Sequence, residues 1–113
     1  MRKIRHAYDA IYTDAIVVAK GEVVVVQKRE TKPEWAGWVW CILANGKSGW
    51  ISENYLKING VAGILLKDYD AREASVKTGE QVKVLQIESG WAWIRKADLS
   101  EGWIPVENLE PTN

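Results

Sequence analysis

Seven tryptophans stand out among the residues of this 113-residue chain that could do chemistry, and their chemistry is recognition. Trp38 and Trp40 lie two positions apart, and Trp91 and Trp93 repeat that spacing. Side chains two apart on a β-strand point to the same face, so each pair predicts a wide aromatic face. Such a face either binds a ligand, because aromatic residues are enriched at recognition hot spots, or packs inside the molecule.

Groups for catalysis or metal binding are scarce. His6 is the only histidine and Cys41 the only cysteine, so the chain offers neither a catalytic triad nor a His/Cys metal site. Cys41 follows Trp40 and is expected on the opposite face of the strand, as a small buried filler of the core. We therefore expect no enzymatic activity, no cofactor and no metal.

The tryptophans belong to an internal repeat. Residues 37–56 and 90–109 align without a gap at an offset of 53, and eight of the twenty positions are identical. A valine-rich segment upstream repeats at an offset of 58, so five extra residues lie between Val26 and Gly37 in the first copy. A duplication of this kind predicts two copies of one structural unit. We place the domains at 1–58 and 59–113, with residues 59–63 as the connection.

Composition is that of an ordinary globular protein, with 47% hydrophobic and 27% charged residues and a net charge of zero. Residues 1–58 hold nine Lys and Arg against six Asp and Glu, which is +3, and residues 59–113 hold six against nine, which is −3. This is too little positive charge to favour nucleic acid. Because no stretch has transmembrane length and a single cysteine allows no internal disulfide, we expect a cytoplasmic location and no membrane partner.

The periodicity is that of short strands. Residues 23–26 are four consecutive valines, and residues 81–87 alternate between polar and apolar side chains. Asn45-Gly46 lies between two apolar runs and predicts a tight hairpin, since both residues tolerate a positive φ. Asp98-Leu99-Ser100 takes that place in the second copy, and its poorer turn chemistry predicts a looser hairpin. Each copy is thus expected to form a small five-stranded barrel.

Three motifs recur in order in both copies. Residues 6–10 and 65–69 resemble an Ala-Leu-Tyr-Asp-Tyr segment, Gly21-Glu22 and Gly79-Glu80 precede valine strands, and residues 49–56 and 102–109 resemble a Gly-Trp-Ile-Pro-x-Asn-Tyr segment. Together they resemble the Src-homology-3 (SH3) domain, in tandem and of the bacterial, variant type. The resemblance implies an all-β fold of two SH3-like five-stranded barrels, which we expect to be fixed relative to each other.

The resemblance also implies a function, which is to bind a proline-rich peptide in a shallow aromatic groove. In the first copy the matching groove residues are Tyr8, Asp14, Trp38 and Tyr55, whereas Ala10 and Ser52 replace a tyrosine and a proline of the family pattern. In the second copy they are Tyr69, Glu73, Trp91 and Pro105, whereas Lys67 and Asn108 replace two tyrosines. Neither groove is complete.

The leading hypothesis is a non-enzymatic protein- or peptide-binding or scaffold module, an adaptor that is a monomer or a weak homo-oligomer. Three alternatives stay open on the sequence. The aromatic faces could bind cell-wall peptides or glycans, they could stack on single-stranded nucleic acid beside Lys28, Arg29 and Lys32, or they could be buried in a purely structural contact. The exposure of Trp38 and Trp91 separates a groove from a buried contact.

Overall fold

A computed structural model describes residues 1–11 and 15–111, and within these two ranges it contains β-strands and three single 3₁₀ turns but no α-helix. The strands are β1 (Arg2–Lys3), β2 (Val17–Val18), β3 (Val23–Arg29), β4 (Trp38–Ile42), β5 (Ser48–Ser52), β6 (Leu56–Asn59), β7 (Ala62–Leu65), β8 (Tyr69–Asp70), β9 (Gln81–Glu88), β10 (Trp91–Arg95) and β11 (Glu101–Pro105). The 3₁₀ helices are Pro33–Trp35, Glu53–Tyr55 and Val106–Asn108. The predicted all-β class is confirmed.

The chain folds into two compact units that do not coincide with the predicted domains. One unit consists of residues 15–71 and is called the central unit; the other combines residues 1–14 with 72–113 and is called the split unit. The boundary predicted between residues 58 and 59 lies inside β6, which pairs with β7 in the central unit. Asn59-Gly60 turns the chain between these strands, with Gly60 at φ 65°, so the expected connection is a hairpin turn.

The central unit is built on a five-stranded antiparallel sheet in the order β5-β4-β3-β7-β6, with β2 and β8 as a separate pair. The strand that completes this sheet, β7, comes from the second copy of the repeat. It lies between β3 and β6, and its Leu65 is buried opposite Leu56.

The split unit has the matching arrangement, with a four-stranded sheet in the order β1-β9-β10-β11. Here the N-terminal strand completes the second copy of the repeat, because Arg2 lies opposite Val82 and an isolated bridge joins Ile4 to Leu109. Tyr8 forms a further bridge to Val76. Each copy of the repeat is therefore completed by the first motif of the other copy.

These sheets are open, whereas closed five-stranded barrels were predicted. In the central unit β5 and β6 are separated by one 3₁₀ turn and lie at opposite edges of the sheet. In the split unit the chain after β11 enters the 3₁₀ helix Val106–Asn108, so the last strand is reduced to the single bridge at Leu109. The hydrogen-bonded ladders consequently stop before either sheet closes.

Each unit buries one face of its strands. The core of the split unit consists of Ile4, Ala74, Val76, Val82, Ala92, Ile94, Ile104 and Leu109. The central unit buries the corresponding side chains Ile16, Val18, Val24, Val39, Cys41, Ile51, Leu56 and Leu65. The alternation of buried and exposed residues along β9 and β10 follows the period of two expected for strands packed on one face.

Both predicted hairpins form. At Asn45-Gly46 the glycine has φ 86° and the Asn45 side chain accepts a hydrogen bond from the Lys47 amide at 2.9 Å. In the split unit Leu99 takes the positive φ, at 72°, which is costly for a branched side chain. Asp98 supports this turn, since its carboxylate accepts hydrogen bonds from the Ser100 amide at 2.9 Å and the Ser100 hydroxyl at 2.5 Å. The hairpin that the sequence predicts to be looser is thus stabilised by the Asp98 side chain.

Each unit takes its first motif from the other copy of the repeat, and we call this arrangement the strand exchange. Because of it, the difference in net charge between residues 1–58 and 59–113 does not persist between the two units. The split unit holds eight Lys and Arg against nine Asp and Glu, and the central unit holds seven against six. The formal charges are therefore −1 and +1.

Candidate ligand-binding faces

The aromatic cluster of the central unit is buried. Trp38, Tyr55 and Tyr69 are only 5–6% exposed. Tyr69 contacts both partners, with ring centroids 5.1 Å from Tyr55 and 6.5 Å from Trp38, and its hydroxyl donates a hydrogen bond to the Trp50 carbonyl at 3.0 Å. Lys67 covers the Tyr55 ring at 4.1 Å. Because these rings pack against one another, they stabilise the unit and leave little surface for a ligand.

The structure brings only one of the residues that the sequence groups with Trp38 close to it. Tyr55 lies in its cluster, but Tyr69 takes the place that was expected for Tyr8. The physical reason is the strand exchange, which brings residues 62–71 to the first copy and residues 1–11 to the second. Asp14, the acidic residue predicted for this groove, lies outside the described residues.

The split unit holds the more open aromatic face. Tyr8 and Trp91 are both partly exposed and meet edge to face, with centroids 6.0 Å apart and an interplanar angle of 82°. The Tyr8 hydroxyl donates to Oε1 of Glu73 at 2.8 Å, and the Ile11 amide donates to the same oxygen at 2.8 Å. Pro105 lies opposite Trp91 on the neighbouring strand and is buried. Four of the predicted site residues are therefore brought together here.

This face, which we call the Tyr8–Trp91 face, has the chemistry of a peptide groove. Two perpendicular rings present apolar surface with few rotatable bonds, which suits an extended apolar or proline-containing segment. Oε2 of Glu73 accepts no hydrogen bond within the described residues, so this carboxylate can pair with a basic ligand side chain. Asn108, which stands where the family has a tyrosine, instead donates to the carbonyls of His6 and Ala7 at 3.0 and 3.2 Å.

A second aromatic pair in each unit was not among the predicted site residues. Trp40 faces Trp50 across β4 and β5 with centroids 5.2 Å apart, and Trp93 faces Trp103 across β10 and β11 at 5.3 Å. The signal was present in the sequence, because all four residues recur at the offset of 53. The sequence does not show which residues lie opposite each other on neighbouring strands, so it does not show that these tryptophans form pairs.

The environments of these two pairs differ. In the split unit Glu101 accepts a hydrogen bond from the Trp93 indole, and this bond is the main reason that the pKa of Glu101 is lowered; the Arg95 guanidinium contributes next. In the central unit the ammonium of Lys28 lies 5.6 Å from the Trp40 ring and 5.8 Å from the Trp50 ring.

Cys41 is fully buried in the core of the central unit, as the sequence predicts. Burial raises the pKa of its thiol from 9.0 to about 11, which is the opposite of what a nucleophile needs. His6 is exposed. Within residues 1–11 and 15–111 no group of three or more His, Cys, Asp or Glu side chains is placed to hold a metal ion.

The raised pKa of Cys41 makes stability depend on pH. Between pH 9 and about 11 the unfolded chain releases the thiol proton and the folded protein keeps it, so stability is lost as the pH rises through this window. We expect the difference in free energy of unfolding between the wild type and Cys41→Ala to shrink from pH 8.5 to 11 in urea titrations. Parallel pH profiles would show that Cys41 does not carry this effect.

Comparison with known families agrees with the fold. The model of the variant SH3 domain family matches residues 6–59, just under half of the chain, and this supports an SH3 domain in the protein. Comparisons with curated proteins and with solved structures found no match. The matched segment includes Tyr8 but not Tyr69, so it follows the first copy of the repeat and not the compact units. No helix of the described part of the chain is long and apolar enough to cross a membrane.

Proposed function

We propose that this protein is a non-enzymatic peptide-binding module made of two SH3-like domains, and that the Tyr8–Trp91 face is its ligand site. SH3 domains are generally binding modules without catalytic activity, and the family match supports that class. The observation that carries the proposal is the contrast between the units. Trp38 is 6% exposed within a closed cluster, whereas Tyr8 and Trp91 keep open surface beside the Glu73 carboxylate.

The ligand that fits this face is an extended segment with prolines and one basic residue. Prolines pre-form the extended helix and pack on the rings, and the basic residue pairs with Glu73. For the central unit the buried cluster of Trp38, Tyr55 and Tyr69 favours a structural role. The cytoplasmic location and the monomeric or weakly oligomeric state stay predictions, to be checked by cell fractionation and by analytical ultracentrifugation.

Replacing Trp91 by alanine is expected to weaken peptide binding by about 2 kcal/mol or more, the cost of removing an interface hot spot. The probe is a set of acetylated, amidated ten-residue peptides, each with two prolines three positions apart and one flanking arginine. Binding is followed by the indole NH resonances in ¹H–¹⁵N spectra, where Trp91 should shift first.

The matched control is Trp35→Ala, which removes a partly exposed tryptophan of the central unit whose ring lies 4.6 Å from Lys32 and far from Tyr8 in the sequence. This variant should bind as the wild type does. Peptides in which alanine replaces both prolines should bind more weakly. If Trp91→Ala binds the proline peptides as tightly as the wild type, the Tyr8–Trp91 face is not the ligand site.

A further inference from the structure

The two cross-strand tryptophan pairs provide an internal comparison, because they occupy the same backbone positions in the two units. Trp40 and Trp50 correspond to Trp93 and Trp103 in sequence and in register. The residue pair two positions further along the same hairpin, on the same face of the strands, however, differs. In the split unit it is Arg95 opposite Glu101, and in the central unit it is Ile42 opposite Ser48.

The split unit fills the position beside its tryptophan pair with its own carboxylate. Oε1 of Glu101 accepts a hydrogen bond from Nε1 of Trp93 at 2.8 Å, and Oε2 accepts one from Nε of Arg95 at 2.7 Å. Arg72 adds a second cation, 5.9 Å from the Trp93 ring. An indole NH and a cation thus hold one carboxylate between them, in a charge-assisted arrangement that is stronger than a neutral one.

The central unit keeps the tryptophan pair but lacks both the carboxylate and the arginine beside it. Ser48 stands in the place of Glu101, and within the described residues it makes no hydrogen bond with the Trp40 indole. A cation comes instead from β3, since Lys28 lies opposite Trp40 and its ammonium lies within 6 Å of both rings. Gln86 occupies the corresponding position opposite Trp93.

These donors have no acceptor of their own. Within the described residues the indole nitrogens of Trp40 and Trp50 make no hydrogen bond, and Lys28 makes no ion pair. Lys28 is exposed and both rings are partly exposed, so an external group can reach them. The cation–π contacts hold the ammonium close to the rings, which reduces the entropy cost of binding an anion there.

We propose that Lys28, Trp40 and Trp50 form a second binding site, which takes a Glu or Asp carboxylate from an acidic peptide segment of a partner protein. The bound carboxylate occupies the place that Glu101 fills in the split unit, accepting from an indole NH and from the Lys28 ammonium. The rings pack against the aliphatic part of the same ligand side chain. The charge is the reverse of that at the Tyr8–Trp91 face, where the protein supplies the carboxylate, so the two sites select different ligands.

The first test follows the seven indole NH resonances while an acetylated, amidated octapeptide of alternating Glu and Gly is added to the full chain. Trp40 and Trp50 should shift, and Trp93 should not, because its NH already bonds to Glu101. The same peptide with Gln in place of Glu should shift none of them. Lys28→Gln should weaken binding about three- to tenfold, the range of an exposed to partly exposed charge-assisted bond.

Two exchange variants and a control make the test specific. Ser48→Glu places a carboxylate where Glu101 lies in the split unit, and it should block the peptide and shift the Trp40 resonance by itself. Glu101→Ser should open a second acidic-peptide site at Trp93. Lys83→Gln removes an exposed lysine of the split unit and should leave binding unchanged.

The outcomes separate the proposal from its competitors. If neither Lys28→Gln nor Ser48→Glu changes the response of Trp40 and Trp50 to the peptide, the site is not a carboxylate site. If a single-stranded oligonucleotide of equal charge shifts these two resonances at a lower concentration than the peptide does, the face is one for nucleic acid and the proposal is overturned. Neither result bears on the Tyr8–Trp91 face, which is tested with different peptides.

Discussion

Replacing Ile4 by alanine is expected to destabilise the split unit by about 3 kcal/mol, in the range found for large-to-small changes in a core. Ile4 is 1% exposed and belongs to the core that contains Val82, Ile94 and Leu109. It is also the residue through which the N-terminal strand bridges to Leu109. The variant therefore acts on the unit formed by the second copy of the repeat, although residue 4 lies in the first copy.

The measurement is urea unfolding followed by the indole resonances of each unit. In Ile4→Ala, Trp91, Trp93 and Trp103 should lose their native resonances at lower urea concentration than Trp38, Trp40 and Trp50. Leu65→Ala is the matched control, because Leu65 is 2% exposed and lies opposite Leu56 as Ile4 lies opposite Leu109. In Leu65→Ala the order should be reversed, so that Trp38, Trp40 and Trp50 lose their native resonances at a lower urea concentration than Trp91, Trp93 and Trp103. If Ile4→Ala instead unfolds the residues around Trp38 first, the division at 58/59 is correct and the strand exchange is wrong.

Gly102→Ala is expected to destabilise the split unit by about 3 kcal/mol, at the upper end of the cost of overpacking a core. A Cβ at this position would lie 2.8 Å from both the Ala74 nitrogen and the Glu73 carbonyl carbon. Both atoms belong to the backbone, so the strand and the segment before Ala74 must move apart. The Trp103 amide bonds to the Arg72 carbonyl and the Ala74 amide to the Trp103 carbonyl, and this movement would strain both bonds.

The corresponding glycine of the central unit supplies the control. A Cβ at Gly49 would lie 3.0 Å from Cδ1 and 3.1 Å from Cγ1 of Ile16, which are side-chain atoms that a small rotation can displace. Gly49→Ala should therefore cost about 1 kcal/mol or less, since alanine also lowers the entropy of the unfolded chain. The two variants are compared by urea unfolding at one pH. Equal losses of stability would contradict the close backbone approach at Gly102.

Local features of the fold were predictable from the sequence because they depend on neighbouring residues. The valine run of β3, the alternation of β9 and the turn at Asn45-Gly46 each carry their own signal. The same signal was present at Asn59-Gly60, where it marks the hairpin between β6 and β7. The repeat boundary favours a linker at the same point, so the two signals predict different structures there.

The pairing of the first motif with its sheet could not be predicted from the same information. Residues 6–10 and 65–69 resemble each other, and the two sheets that receive them are copies as well. Because both the motif and the sheet are repeated, sequence pattern does not distinguish the two arrangements. The choice decides the site, since it places Tyr8 beside Trp91 and Tyr69 beside Trp38.

The exposure of the Trp38 and Trp91 rings could not be predicted from the sequence either. Trp38 and Trp91 occupy equivalent positions in the repeat, yet one is buried in a cluster with two tyrosines and the other is partly exposed. Their first-motif partners differ, because Tyr69 donates to a backbone carbonyl whereas Tyr8 donates to Glu73. Burial of a single ring depends on such tertiary contacts and not on its local pattern.

The exchanged first strands impose an order on folding during synthesis. The central unit is continuous in sequence, so a ribosome that has released residue 71 has supplied all of it. The split unit must wait until residue 108 has been made, because Asn108 bonds to the carbonyl of His6, 102 residues away. Closing so long a loop is slow relative to local pairing, and domains that emerge first tend to fold first. β1 is thus made before the central unit, yet it is among the last segments to find its place.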